Sequence, residues 1–275
     1  MRISGECEKP LENCEVNPEQ QRKVTYLSPP TPVSMADDWF DIASLENFWI
    51  QRRFDVLKRL ANKLLRQGGS AAEVGCGNGL LQRHVEDEYG IPVAGFDLNE
   101  GALKKNVSRI SPLYCYDVHQ RAPEFRSKFG IIFLFDVLEH IEEQQLFLDA
   151  VAFHLQETGT VIINVPAYQS LYSPYDTAVG HLRRYSIDYL KDVAKTGGLK
   201  VLSYTYWGLP LMPLLILRKV LLGLQRNKNG QKNVIPLRFD PGGDARNAMF
   251  RFLSRLEFVP QKIMGTSLMA TLSRG

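Results

Sequence analysis

Nothing in the 275 residues is apolar for long enough to cross a bilayer, no two cysteines have metal-binding spacing, and there is little excess charge of either sign. The most apolar stretch, residues 208–224 (GLPLMPLLILRKVLLGL), is interrupted by Arg218 and Lys219 and has Pro210 and Pro213 in its first turn. A spanning helix wants about 20 nearly unbroken apolar residues, so this one does not span. The four cysteines, Cys7, Cys14, Cys76 and Cys115, form no C-x-x-C pair, which argues against a zinc site or a disulfide framework. Residues 1–32 are charged and proline-containing and lack the apolar core of a secretory leader, so a reducing, cytoplasmic setting is expected. A net charge of +3 with acids and bases interspersed gives no reason to expect a nucleic-acid partner.

What is present is a 44% hydrophobic content and a length near the upper end for one continuous core. Residues 1–36 are rich in Glu, Gln, Asn and Pro without apolar period and read as a flexible tail. A single domain is expected over 37–275. Its first part, 37–67, is a helical cap, started by Asp37-Asp38 and carried by Phe48, Phe54, Leu57, Leu60 and Leu64 at helical spacing. Gly68-Gly69 ends it. Short apolar runs then alternate with helical ones: strands at 70–74, 93–97, 113–117, 130–135 and 160–165, with helices between. Such alternation implies right-handed crossovers and a doubly wound, mostly parallel α/β sheet. Beyond Pro166 come a helix at 186–196, a strand at 200–206, a helical insertion at 209–260 and a last apolar run at 267–272.

The turn Glu73-Val74-Gly75-Cys76-Gly77-Asn78-Gly79 joins the first strand to its helix, where glycines let the backbone turn sharply and approach a ligand. A dinucleotide fingerprint would need glycine where Leu80 stands, and a phosphate-binding loop would need a Lys followed by Ser or Thr. Asp97, about 20 residues on, is placed to accept hydrogen bonds from a ribose diol, and Asp117 from an adenine amine. Strand-end acids are also frequent helix caps, so each alone says little.

These segments, E-V-G-C-G-N-G, F-D-L-N at 96–99, Tyr116-Asp117-Val118 and F-D-V-L-E-H-I at 135–141, resemble the ordered motifs of class I S-adenosylmethionine-dependent methyltransferases over residues 70–170. The resemblance implies a Rossmann-like seven-stranded sheet with the last strand antiparallel, and S-adenosylmethionine as cofactor. It implies that Glu73, Gly75, Gly77 and Asn78 cradle the methionine moiety, that Asp97 with Leu98 holds the ribose, that Asp117 and Val118 flank the adenine, and that Phe135 lies beside the amino-acid end. An aromatic-rich N-terminal helix closing over the cofactor would be represented by Trp39, Phe40 and Arg53, with Arg52 an alternative to Arg53.

Methyl transfer from a sulfonium is an in-line displacement, in which the protein chiefly aligns nucleophile, methyl and sulfur. A hydroxyl acceptor benefits from a base, and His140 with Glu139 and His181 are the catalytic candidates, because histidine titrates near operating pH. Asp136, Glu139, His140 and His181 also resemble the E-x-x-E-H metal site of small-RNA 2′-O-methyltransferases and some quinone-precursor O-methyltransferases, but Asp136 departs from that pattern and no metal is expected. The stretch 180–185 (GHLRRY) resembles a subgroup active on natural products or envelope precursors, which implies Arg183, Arg184 and Tyr185 at the acceptor side, while pairing of the two arginines with Asp176, Asp188 or other acids to fix the loop is the alternative. The expected function is methylation of an oxygen on a small molecule. A metal-dependent RNA 2′-O-methyltransferase and a non-catalytic S-adenosylmethionine-binding partner protein are the alternatives. For 209–260 a lid, a membrane-surface contact through 209–224 and an oligomer contact all stay open.

Overall fold

Strands joined by crossover helices can only be parallel, because each connection returns the chain to the same edge of the sheet. The computed structural model describes residues 23–31, 44–229, 244–255 and 257–275. Among these are eight strands: β1 (Val24–Tyr26), β2 (Ala71–Val74), β3 (Val93–Asp97), β4 (Leu113–Cys115), β5 (Phe129–Phe135), β6 (Leu155–Pro166), β7 (Leu199–Trp207) and β8 (Ser267–Arg274). They form one sheet in the order β1-β4-β3-β2-β5-β6-β8-β7. Pairing is parallel from β1 to β6, and β8 runs antiparallel to both its neighbours. This is the Rossmann-like doubly wound sheet expected, with one further strand at its edge.

The helices are α1 (Phe48–Gln67), α2 (Leu80–Tyr89), α3 (Glu100–Lys104), α4 (Gln144–His154), α5 (Pro174–Ala178), α6 (Ile187–Thr196), α7 (Met212–Asn229) and α8 (Asp244–Arg255). Central strand β5 shows why the sheet needs cover on both faces. Ile132 and Leu134 enter a core with α4 and α6, whereas Ile131, Phe133 and Phe135 enter a second core with α1 and α2. Alternate side chains of a strand point to opposite faces, so a continuous apolar run must be buried twice over. Strand order reverses between β3-β2 and β2-β5, which opens a crevice at their carboxyl ends.

Three expectations are corrected. Part of the supposed tail is ordered: β1 pairs with β4, Tyr26 donates to Glu100 Oε1 at 2.7 Å, and the amides of Leu27 and Ser28 donate to the Cys115 carbonyl. Three strand residues are too few to show a period. Helix α1 starts at Phe48 rather than near Asp37-Asp38, with the Asn47 side chain accepting the Trp49 amide at 2.8 Å. The third crossover strand stops at Cys115, so Asp117 lies beyond it. Residues 32–43, including Trp39 and Phe40, and 230–243 of the insertion lie outside the described residues. Among those described, no helix is long and apolar enough to cross a membrane.

Candidate active site

The crevice is built from the turns that leave β2, β3, β4, β5 and β6. In the turn after β2 the backbone runs left-handed at Gly75 (φ 75°) and Gly77 (φ 52°), which glycine adopts without a steric penalty. A Cβ on Gly75 would stand 2.4 Å from Val137 Cγ2, so the two loops can meet only because that atom is missing. Gly77 donates its amide to Asp97 Oδ2 at 2.7 Å, and Asn99 donates to Asp97 Oδ1 at 2.8 Å. Burial raises the Asp97 pKa, and these amides pull it partly back. Asn78 is buried in the same turn, and the Leu98 carbonyl accepts the Thr31 amide.

Asp117 accepts the His119 amide at 2.9 Å and so caps the short 3₁₀ turn Val118–Gln120, while its own amide donates to Ser28 Oγ. Val118 is buried in the core. The cap and the expected adenine contact therefore fall on one residue, and Ser28 is a neighbour that pattern reading missed.

Glu73 is 4% exposed with no partner for Oε2. Burial pushes its pKa up to about 8; the Arg53 charge opposes this, and Asp97 and Asp136 add to it. A buried, half-satisfied carboxyl at the mouth of a glycine turn suits a cationic ligand group, and S-adenosylmethionine carries an ammonium. The residues present thus fit the cofactor.

Arg53 and Arg52, adjacent in α1, face different ways. Arg53 pairs with Asp136 and lies over the Phe135 ring, 5.2 Å from its centroid. Arg52 pairs with Glu257 at 2.9 Å on the far side, beside a separate cleft of about 550 Å³ lined also by Arg59 and Arg251. Asp136 has φ 56°, uncommon for a non-glycine residue, and is held there by Asn164 Nδ2 at 2.6 Å. Asn164 Oδ1 in turn accepts Trp207 Nε1 at 2.9 Å, and Trp207 packs on Trp49 with ring centroids 4.4 Å apart. A lone Asn in the apolar run Ile162-Ile163-Asn164-Val165 was the overlooked signal, since a buried amide must be partnered.

Past Asp136, the 3₁₀ turn Leu138–His140 presents Glu139 and His140. Glu139 is fully buried and neither carboxyl oxygen has a hydrogen-bond partner, while Oε1 lies 3.8 Å from His181 Nε2. Burial, then Asp136, raises its pKa well above the usual carboxyl range. His140 is exposed at its outer edge, and its Nδ1 lies 3.1 Å from the Gly180 carbonyl. Partial desolvation, then the neighbouring His181, lowers its pKa. The two imidazoles meet edge to face at 4.9 Å, and one ligand atom each from Glu139, His140 and His181 lies within 4.8 Å of the others.

The segment after β6 that carries His181 is tied down by the residues expected to hold the acceptor. Asp176 accepts His181 Nδ1 at 3.0 Å and Arg184 Nε at 2.8 Å. Burial opposes its ionisation, but the hydrogen bond from His181 and the Arg184 charge outweigh that and hold the pKa at about 2. Tyr185 is fully buried, its hydroxyl 2.9 Å from the Leu138 carbonyl and 2.7 Å from Gln144 Oε1. Arg183 donates to the Ile141 carbonyl at 2.9 Å. The acceptor-contact expectation is therefore corrected for Arg184 and Tyr185, whose polar groups are buried and committed to this framework. The alternative that an arginine pairs with Asp176 holds for Arg184, and the bond from His181 to the same carboxylate is what only the fold brings about.

Residues 45–204 match the model of a family described as a methyltransferase domain, and the chain belongs to that family. By class it is a methyltransferase domain. Among solved structures it is similar to a SAM-dependent methyltransferase from Archaeoglobus fulgidus, at 13% identity and TM-score 0.52, over 86% of this chain and 98% of that one. It is also similar to phosphoethanolamine N-methyltransferase 2 of Haemonchus contortus, solved with S-adenosyl-L-methionine, at 16% identity and TM-score 0.52, over 90% of this chain and 61% of that one. No curated protein sequence matches it.

Proposed function

We propose that this enzyme methylates an oxygen of a small-molecule acceptor, natural-product, lipid-like or envelope-precursor in kind, with His140 as the general base. The observation that carries the reading is the placement of His140 in the 3₁₀ turn that follows β5, with Nδ1 against the Gly180 carbonyl. A proton on Nδ1 donated to that carbonyl leaves Nε2 with a free lone pair. The lowered pKa favours the neutral ring, the form a base requires. As the acceptor oxygen attacks the methyl carbon, the carbon–oxygen bond forms, the carbon–sulfur bond breaks to leave S-adenosylhomocysteine, and the hydroxyl proton passes to Nε2. Glu73, the glycine turn and Asp97 hold the cofactor, and Arg53 positions Asp136. Arg183, Arg184 and Tyr185 fix the loop that aligns His181 with His140. A cytoplasmic setting accords with the buried free thiols Cys76 and Cys115.

The test is an acceptor screen followed by kinetics of His140→Gln. The expected outcome is a kcat lowered roughly 10²- to 10⁴-fold with S-adenosylmethionine affinity unchanged. Unchanged kcat on a hydroxyl acceptor would remove His140 from the role.

One observation favours a second reading, in which Glu139, His140 and His181 hold a divalent cation that lowers the acceptor pKa. Glu139 has two buried oxygens without hydrogen-bond partners, and two imidazoles lie within coordinating reach. Elemental analysis of the purified protein, with activity measured after chelation and re-addition of metal, separates the readings: stoichiometric metal supports the second, and full activity in chelator supports the base.

A further inference from the structure

The chain that follows β1 does not leave the sheet where its ladder ends. β1 runs parallel to β4, so it arrives at the carboxyl edge, on which the crevice opens. There the amides of Leu27 and Ser28 both donate to the Cys115 carbonyl, at 2.9 and 3.0 Å, which ends the regular pairing and turns the chain. Ser28, 6% exposed, accepts the Asp117 amide on Oγ at 2.8 Å, and the Thr31 amide donates to the Leu98 carbonyl at 3.1 Å. Leu98 follows β3, and β4 stands between β1 and β3 in the sheet. Residues 28–31 therefore cross the carboxyl end of β4.

The residues of that crossing make a stiff strap. Pro29 and Pro30 have a fixed φ and no amide, so they cross without leaving a donor unpaired. An extended proline segment advances about 3.1 Å per residue, enough for the strap to reach past the roughly 4.8 Å between neighbouring strands. What lies beneath follows from the order of the strands. The glycine turn leaves β2, and Asp97, the acid placed for a ribose, ends β3, so the base of a nucleoside extends towards the end of β4. Thr31 holds the turn after Asp97 from outside, while Gly77 holds Asp97 from within. A pairing as short as Val24–Tyr26 at a sheet edge holds the strap weakly by itself, so a ligand that touches it stabilises its docking by mass action.

We propose that residues 28–31 form the outer wall of the adenosine pocket, so that the cofactor and the docked strap stabilise one another. This rests on the S-adenosylmethionine reading of the crevice. The full chain is titrated with S-adenosylhomocysteine and with methylthioadenosine, which keeps the nucleoside and lacks the amino-acid end. Ser28→Ala removes the acceptor of the Asp117 amide, and Thr31→Pro removes the donor to Leu98 while keeping the chain extended. Each is expected to weaken both ligands by the same factor, about three- to tenfold, as the loss of one hydrogen bond does. Glu73→Gln, at the other end of the pocket, is expected to weaken S-adenosylhomocysteine alone. In the parent, hydrogen exchange is expected to slow at the Leu27, Ser28 and Thr31 amides when S-adenosylhomocysteine binds, a readout that needs no variant. A strap that only supports the fold would lower the melting temperature of the ligand-free variants and leave affinities and exchange unmoved, and that result overturns the proposal. So does a loss confined to S-adenosylhomocysteine in the strap variants. A folded parent that binds neither ligand overturns the cofactor reading itself, whereas a parent that binds, with variants that bind equally well, overturns the strap alone.

Discussion

Glu73 carries the plainest consequence at the scale of single residues. Its pKa stands at about 8 in the fold against an ordinary value of 4.5, so between those values the folded chain binds more protons than the unfolded one. Stability of the cofactor-free protein is therefore expected to fall as pH rises from about 4.5 to 8, by up to about 1.4 kcal/mol per unit. Denaturant melts of the parent and of Glu73→Gln across that range check this, with the slope expected to flatten in the variant. The same group predicts that S-adenosylmethionine binding at neutral pH releases a proton, seen as a dependence of binding enthalpy on the ionisation enthalpy of the buffer.

At the scale of elements, α5 and the strand-to-loop turn after β6 act as one bracket around Asp176. Its pKa, about 2 against 3.8, means the carboxylate stabilises the fold at and above pH 4, and that this contribution is lost as pH falls towards 2. Replacing it with Asn leaves the buried Arg184 without its counter-charge, and a loss of about 3–5 kcal/mol is expected in urea unfolding at pH 7. Because Asp176 also orients His181, the variant is expected to lower kcat at temperatures where it stays folded. The bracket explains why two arginines and a tyrosine in sequence near a cleft are not all available to substrate: the chain spends Arg184 and Tyr185 on holding the cleft's wall.

At the scale of the molecule, the site is spread over the ends of β2 to β6, so a bound cofactor links elements distant in sequence. Saturation with S-adenosylmethionine at 100 times Kd is expected to add about 2.7 kcal/mol to unfolding and to raise Tm by roughly 5–10 °C. Asp97→Ala, which removes the acceptor of the Gly77 and Asn99 amides, is expected to lose most of that shift in a thermal melt with and without cofactor.

The sequence by itself determined the alternation of strands and helices, the glycine turn, Asp97 at the end of its strand and the catalytic candidates of the β5 turn. Each is a local matter: periodicity follows from backbone geometry, and a left-handed turn demands glycine where it occurs. Only the tertiary structure decided that Arg53 rather than Arg52 faces the site, that Asn164 and Asp176 support it, and that β1 closes the edge of the sheet. Only it showed that Arg218 and Lys219 of α7 face the protein. The physical reason is that partnership between charges and burial of a face depend on which segments become neighbours, and neighbours tens of residues apart leave no period in the chain.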